Sequence, residues 1–162
     1  MRCVVSDTGP LLHLSEADAL SLARLVGDLH VPSQVNAELA YLLSGWEAPT
    51  WLTIDMLAAL PAAEAAAWQQ SGLLDPGEAE AIALARQIKA DWLLTDDAAA
   101  RLFAAGLGLE VHGSLGVVLW AAATGHLDRA QADQTLAKLA ASSLWISGRI
   151  LAEAKSALDE IF

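Results

Sequence analysis

The stretch Val4-Val5-Ser6-Asp7-Thr8-Gly9-Pro10 constrains the fold more than any other part of the chain. An apolar run that ends in an acid predicts a strand buried on both faces, as in a parallel sheet. Taken alone, Asp7 is most simply the cap of a helix that begins near Pro10. Ligands of open α/β sheets also bind at this end of the strands, so Asp7 is in addition a candidate site residue.

The rest of the chain alternates predicted strands and helices. Further strands are predicted at residues 29–31, 51–54, 92–95 and 109–111, with helices between them. From Gly113 onward the pattern predicts only helices, at residues 115–124, 128–141 and 147–161. This alternation is typical of a parallel sheet that is covered by helices.

The length of 162 residues suits one folding unit. We divide it into a main domain at 1–125 and a helical hairpin at 126–162 that packs on or extends the same domain. The longest uncharged run, residues 111–127, contains two histidines, three glycines and a threonine, which argues against a membrane span. Because Asp7 interrupts the first apolar run, we expect no signal peptide, no membrane segment and a cytoplasmic location.

The charge balance limits the class of partner. Twenty acids against nine bases give a net charge of −11, which argues against a large basic footprint for duplex nucleic acid. The same acidity permits a cation site or a basic partner. The single cysteine, Cys3, excludes an intramolecular disulfide and a cysteine-rich zinc site.

Acids recur where a parallel sheet would gather them. Asp7 ends the first strand, Glu38 lies in the helix after the second strand, and Glu78 lies early in the helix at 75–89. Asp96 and Asp97 follow a later strand. Such a cluster repels itself unless a cation fills it, and oxygen ligands without cysteine or paired histidine favour Mg²⁺ or Mn²⁺ over Zn²⁺.

Each acid also has a structural alternative. Glu38 could be a solvated helix residue, and Glu78 could form a capping box with Asp75. We expect one of Asp96 and Asp97 to cap the helix that follows them.

The helical wheel separates the two acids of the helix at 75–89. Glu78 falls inside its apolar stripe, whereas Glu80 falls beside Gln87 on the polar side. The wheel therefore predicts that Glu78 points inward and that Glu80 faces solvent.

These segments together resemble the PIN-domain ribonucleases, including the VapC-type toxins of bacterial toxin–antitoxin pairs. The resemblance runs from Met1 to about Thr124 and rests on VVSDTGPLLHL, VPSQVNAEL, LDPGEAEAIALA and ADWLLTDDAAARLF, in that order. It implies an α/β fold of three layers, α/β/α, around a central parallel sheet of four or five strands. The chain extends beyond the minimal domain with C-terminal helices.

The resemblance also implies a set of site residues. The four acids of the family match, in order, Asp7, Glu38, Glu78 and Asp97. Asp97 stands two residues after Thr95, as in the family motif, and Asp96 remains an alternative metal ligand. Glu78 stands where many family members have Asp, which lengthens that side chain.

The activity that the resemblance implies is hydrolysis of RNA phosphodiester bonds with Mg²⁺ or Mn²⁺. Asp7 would be the central ligand, and Thr8 and Thr95 would hydrogen-bond the metal's waters. Arg86 and Arg101 are candidate phosphate contacts, with a solvated helix charge as the alternative for both. The implied partners are an RNA substrate, a small antitoxin protein and a second copy of the chain in a homodimer.

Other functions remain open from the sequence. A PIN-like module that binds RNA or protein with weak or no activity fits the net charge of −11. The triplet Asp7-Thr8-Gly9 also resembles the active site of aspartic proteases, although that family is almost all β. A receiver-type domain would need a pair of acids after the first strand, and Asp7 stands alone there.

Overall fold

The computed structural model describes residues 1–162, which form five strands and nine helices. The strands are β1 (Cys3–Ser6), β2 (Asp28–Pro32), β3 (Leu52–Asp55), β4 (Trp92–Leu94) and β5 (Val111–His112). The helices are α1 (Thr8–Glu16), α2 (Ser21–Leu25), α3 (Ser33–Leu42), α4 (Ala59–Gln70), α5 (Pro76–Gln87), α6 (Ala98–Gly106), α7 (Ser114–Ala123), α8 (Arg129–Ala140) and α9 (Gly148–Ile161). None of them combines the length and the apolar character that a membrane span requires.

The five strands form one parallel sheet in the order β3-β2-β1-β4-β5. Helices flank this sheet, so the predicted three-layer α/β/α fold is confirmed. β1 lies at the centre, where Val4 and Val5 are fully buried, as the apolar run predicts. The strand order switches at the carboxyl ends of β1 and β4, the place where open α/β sheets bind ligands.

Helix α5 covers the middle of the sheet and directs its N-terminus towards that edge. Asp75 and Glu78 form a capping box at its start, and Pro76 occupies its first turn. Small buried side chains, such as those of Ala81 and Ala85, let the helix lie close to β1, β2 and β4. The capping box, Pro76 and the apolar stripe thus explain why this segment forms a helix that packs on the sheet.

The C-terminal hairpin of α8 and α9 packs on α7. Its residues Leu136, Leu139 and Leu158 are fully buried and belong to the same cluster of 36 buried apolar residues as the sheet. Gly125, with φ at +83°, lets the chain turn after α7. The division at residue 125 remains a prediction, since both parts share one core.

Two of the element boundaries that differ from the sequence prediction have a clear structural cause. The first helix begins at Thr8, before Pro10, because the Asp7 carboxylate accepts the Thr8 backbone N–H at its start. The last strand is Val111–His112, where 109–111 was expected. Its position follows from the pairing of Leu94 with His112, which no local pattern encodes.

Candidate active site

Asp7 lies at the carboxyl end of β1, between the ends of β2 and β4. Its side chain is only 5% exposed. Carboxylate Oδ1 accepts the backbone N–H of Thr8 at 2.7 Å, and Oδ2 accepts the hydroxyl of Thr95 at 3.1 Å. The cap expected from the sequence is therefore present, and Thr95 holds the second oxygen from the neighbouring strand.

The environment of Asp7 disfavours its charge. Burial raises the pKa of Asp7 from its ordinary 3.8 to about 7, although the hydrogen bonds from Thr8 and Thr95 oppose the rise. The charges of Asp75 and Glu38 raise this pKa further. A buried acid with a strongly raised pKa at the ligand-binding edge of a sheet is a candidate functional group.

Glu38 projects from α3 towards the start of α5. Its Oε1 accepts the hydroxyl of Thr8 at 2.7 Å, and its Oε2 accepts the side-chain amide of Gln34 at 3.0 Å. A Cβ built on Gly77 would lie 2.8 Å from Cδ of Glu38, so only glycine leaves room for this carboxylate. Glu38 is thus held beside Asp7 by Thr8 and is not a freely solvated helix residue.

Glu78 combines its two expected roles. Its Oε1 accepts the backbone N–H of Asp75 at 3.0 Å, which closes the capping box. Burial raises the pKa of Glu78 to about 8, against the hydrogen bond at Asp75, and the charges of Asp75, Asp7 and Asp97 add to the rise. The side chain therefore caps α5 and also interacts electrostatically with Asp7 and Asp97 at the strand ends.

Glu80 is an acid of this region that the helical wheel misplaced. The prediction that it faces solvent is wrong, because Glu80 is half-buried on the side of α5 that meets α3. Burial raises its pKa, and the charge of Glu38 adds to the rise. The wheel describes one helix, whereas the burial of Glu80 comes from a second helix that packs against it.

Asp97 lies at the end of the β4 segment and caps α6. Its Oδ2 accepts the backbone N–H of Ala100 at 2.9 Å, and the residue is exposed. Its charge reaches Glu78 and raises the pKa of that carboxyl. Asp97 therefore belongs to the same electrostatic cluster as Asp7 and Glu78.

Asp96 has a different set of partners. Its Oδ1 accepts the backbone N–H of Ser114 at 2.7 Å, and its Oδ2 accepts the Ser114 hydroxyl at 2.8 Å. The Nδ1 atom of His13 lies 2.7 Å from the same Oδ2. Asp96 thus joins the end of β4 and the start of α7 to α1, whereas Asp97 is the one of the two whose charge acts on Glu78.

The two candidate phosphate contacts differ in position. Arg86 lies at the far end of α5 from Glu78, where it forms a salt bridge of 2.8 Å with Glu64. Arg86 follows Glu78 by eight positions of the helix, roughly 12 Å along the axis. Arg101 instead donates to the backbone carbonyl of Thr95 at 3.3 Å and is exposed. Of the two, only Arg101 lies at the edge that carries the acids.

The acids do not form a ready metal cage. No three His, Cys, Asp or Glu side chains lie close enough together to hold a metal ion. The charge of one acid changes the pKa of another over distances longer than a metal–ligand bond. The raised pKa values are therefore compatible with the absence of a compact group of metal ligands. The donors themselves, carboxylate and hydroxyl oxygens, suit a hard divalent cation. Such a cation would offset the burial and, to a smaller extent, the mutual repulsion that raise these pKa values.

Comparison with known proteins assigns the family. A family model described as a PIN domain matches residues 3–160, including the C-terminal hairpin. No curated protein and no solved structure gives a significant match. PIN domains have a nuclease-type fold, and the three-layer sheet with acids at the carboxyl edge of its central strands agrees with this assignment. The chain therefore belongs to a PIN-domain family.

Proposed function

We propose that the protein is an endoribonuclease that depends on Mg²⁺ or Mn²⁺. One observation carries this proposal: the buried carboxyl of Asp7, with its raised pKa, lies at the switch between β1 and β4 in a PIN-domain chain. Glu38 and Glu78 interact with Asp7 through their charges, and the charge of Asp97 acts on Glu78. The fold supports a nuclease in general, and the RNA substrate and the metal are parts of the proposal.

The donor set fits a hard divalent cation held by Asp7 with Glu38, Glu78 and Asp97. All the donors are oxygens, and the absence of a Cβ at Gly77 keeps Glu38 within reach of Asp7 through Thr8. When bound, the cation would activate water for attack and stabilise negative charge on the phosphate.

The residues of the chain have separate tasks in this mechanism. The Thr8 N–H and the Thr95 hydroxyl orient the two oxygens of Asp7, and the Thr8 hydroxyl orients Glu38. Burial and the neighbouring acids raise the pKa of Glu78 to about 8, and its Oε1 accepts the Asp75 N–H. Arg101, which donates to the Thr95 carbonyl, would supply the contact with the substrate phosphate.

The test is cleavage of a broad pool of single-stranded and structured RNA with added Mn²⁺ or Mg²⁺. We expect Asp7→Asn to lower the rate more than about 100-fold, because residues that only orient a metal ligand already cost 10–100-fold. Asp128→Asn is the matched control, since Asp128 is an exposed helix cap on the distant α8. No cleavage by the wild-type protein, together with no metal binding that depends on Asp7, would refute the proposal.

A second candidate is a PIN-domain module that binds RNA or protein without cleaving it. The net charge of −11 favours it, because a nuclease that grips many phosphates should be basic. Metal and RNA binding without any product would identify this function. The aspartic-protease interpretation is wrong, because the fold is a parallel α/β sheet and the chain belongs to a PIN-domain family.

The biological setting of the proposed nuclease is the toxin component of a toxin–antitoxin pair, in the cytoplasm and as a homodimer. A small reading frame beside the gene that encodes a DNA-binding partner would support the toxin role. Sedimentation of the purified chain tests the dimer. If the protein is a monomer and its expression leaves the host's growth unchanged, this setting is excluded while the nuclease proposal stands.

A further inference from the structure

A large apolar groove lies beside the proposed active site. It has a volume of ≈ 820 Å³ and is bounded by α6, β5, the first half of α7 and the loop between α8 and α9. Ten of its sixteen lining residues are hydrophobic, among them Leu102, Val111, Leu119 and Trp145. A groove of this size can accommodate groups as large as nucleobases.

One end of the groove meets the edge that carries the acids. Asp96 and Arg101 line this end, and both are tied to the site through Thr95. Asp96 directly follows Thr95 in the chain, and Arg101 donates to the Thr95 carbonyl at 3.3 Å. Since the Thr95 hydroxyl donates to Asp7, a single residue connects the groove with the central acid.

At the other end, the loop between α8 and α9 presents Trp145 to solvent. Trp145 is 83% exposed, whereas its neighbours Leu144 and Ile146 pack against the core. The loop is held on both sides, because the Ser142 hydroxyl accepts the Leu144 N–H at 3.2 Å and the Ser147 hydroxyl accepts the Ile150 N–H of α9 at 3.1 Å. An indole held in a fixed loop and left uncovered suits the stacking of a planar ligand.

The charge of the chain decides how such a ligand could be held. With a net charge of −11, the protein repels a polyanion at long range and gains little from many phosphate contacts. Base stacking on an aromatic ring does not depend on net charge. The Arg101 guanidinium supplies one local contact for a phosphate at the end nearest the acids.

We propose that this groove binds the nucleobases of single-stranded RNA next to the cleaved bond, with a base stacked on Trp145 and one phosphate on Arg101. The assignment rests on the proposed ribonuclease function and adds the place and the manner in which the strand is held, by its bases in this groove. It explains how an acidic nuclease retains its substrate. Other nucleases hold RNA on a basic surface, whereas this protein holds it in an apolar groove that leads to the acids.

The test measures binding of a fluorescein-labelled single-stranded RNA 12-mer in EDTA, which prevents metal-dependent cleavage. We expect Trp145→Ala to weaken binding about 10-fold or more and Trp145→Phe to stay within about 3-fold of the wild type, since stacking needs only an aromatic face. Met56→Ala is the matched control, because Met56 is also 83% exposed but lies outside the groove. It should leave binding unchanged.

The salt dependence separates the two contacts. Each phosphate contact with a single strand contributes roughly −0.7 to the slope of log K against log [salt]. We expect a slope no steeper than about −1 for the wild-type protein, and a slope near zero for Arg101→Ala. Trp145→Ala should weaken binding by the same factor at every salt concentration, because it removes an uncharged contact.

Several outcomes would overturn the groove assignment. Equal affinity of the wild type and Trp145→Ala would do so, as would a slope steeper than about −3, which indicates several phosphates. If Trp145→Ala instead abolishes self-association in sedimentation and leaves RNA binding intact, the groove accommodates a second copy of the chain. If RNA binding depends on Trp145 but no variant cleaves with metal, the groove assignment stands and only the nuclease function fails.

Discussion

Replacing Asp7 with Asn tests the claim that this position is kept for a function at a cost in stability. The Asn side chain keeps the shape of the carboxylate, and its Oδ1 can still accept the Thr8 N–H. In the wild-type protein the Thr95 hydroxyl donates to Asp7. In the variant, the Asn amide can donate to the oxygen of the same hydroxyl. The substitution therefore removes a buried negative charge and retains both hydrogen-bond partners.

The magnitude follows from the raised pKa. In the folded protein the pKa of Asp7 is about 7, against an ordinary value of 3.8. The stability that the protonated acid contributes is fully present below pH 3.8 and is lost as the pH rises through about 7. At ~1.4 kcal/mol for each pKa unit, the charged form costs about 4 kcal/mol at pH 8. We expect Asp7→Asn to recover about 2–4 kcal/mol there and almost nothing at pH 4.

Thermal and urea unfolding in EDTA at pH 4 and pH 8 measure this difference. For a chain of this length, a gain of about 2–4 kcal/mol raises the Tm by roughly 5–15 °C. Asp97→Asn is the control, because Asp97 is an exposed cap and Asn caps equally well. Its stability should change by less than about 0.5 kcal/mol at either pH.

Added Mg²⁺ or Mn²⁺ completes the experiment. A cation at 100 times its Kd stabilises the folded wild-type protein by about 2.7 kcal/mol, and it should not stabilise Asp7→Asn. The reasoning is refuted if Asp7→Asn is less stable than the wild type at pH 8, or gains equally at pH 4 and pH 8. Equal stabilisation of both proteins by the cation would exclude Asp7 as its central ligand.

Three further substitutions probe the surroundings of the site. Gly77→Ala should lower RNA cleavage about 10-fold or more with little loss of Tm, because the new Cβ displaces the Glu38 carboxylate while alanine favours the helix by about 1 kcal/mol; unchanged kinetics would contradict this contact. Asp96→Ala should cost about 3 kcal/mol in urea unfolding, because it leaves the N–H and hydroxyl of Ser114 without their acceptor, and a cost below about 1 kcal/mol would argue against it. Leu136→Ala should cost about 2–5 kcal/mol in a single unfolding transition, whereas a separate early transition would show that the C-terminal hairpin unfolds on its own.

The sequence predicted the secondary structure well because each element carries its own local signals. The apolar run before Asp7 and the buried run at 92–95 mark strands that are covered on both faces. Asp75 and Pro76 mark the start of α5, and the box that Asp75 forms with Glu78 appears as expected. These signals act over a few residues, so they can be read without knowledge of the fold.

The roles of the acids were harder to predict, because they depend on residues that are distant in the sequence. The Thr95 hydroxyl that holds Asp7 is 88 residues away, and Ser114, which holds Asp96, is 18 residues away. The helical wheel could not place Glu80, since α3 buries it from outside. The contact of Asp96 with Ser114 could not be predicted without knowing where α7 begins.

By itself, the sequence determined an α/β chain with an acid at the end of its first strand and further acids at the starts of later helices, because caps and apolar periodicity are local. Only the tertiary structure decided which acids interact through their charges and that Thr8 and Thr95 orient them. It also decided that the Trp145 groove reaches the same edge of the sheet. The physical reason is the strand order: it places β4 beside β1 and so joins residues that the chain separates by almost ninety positions.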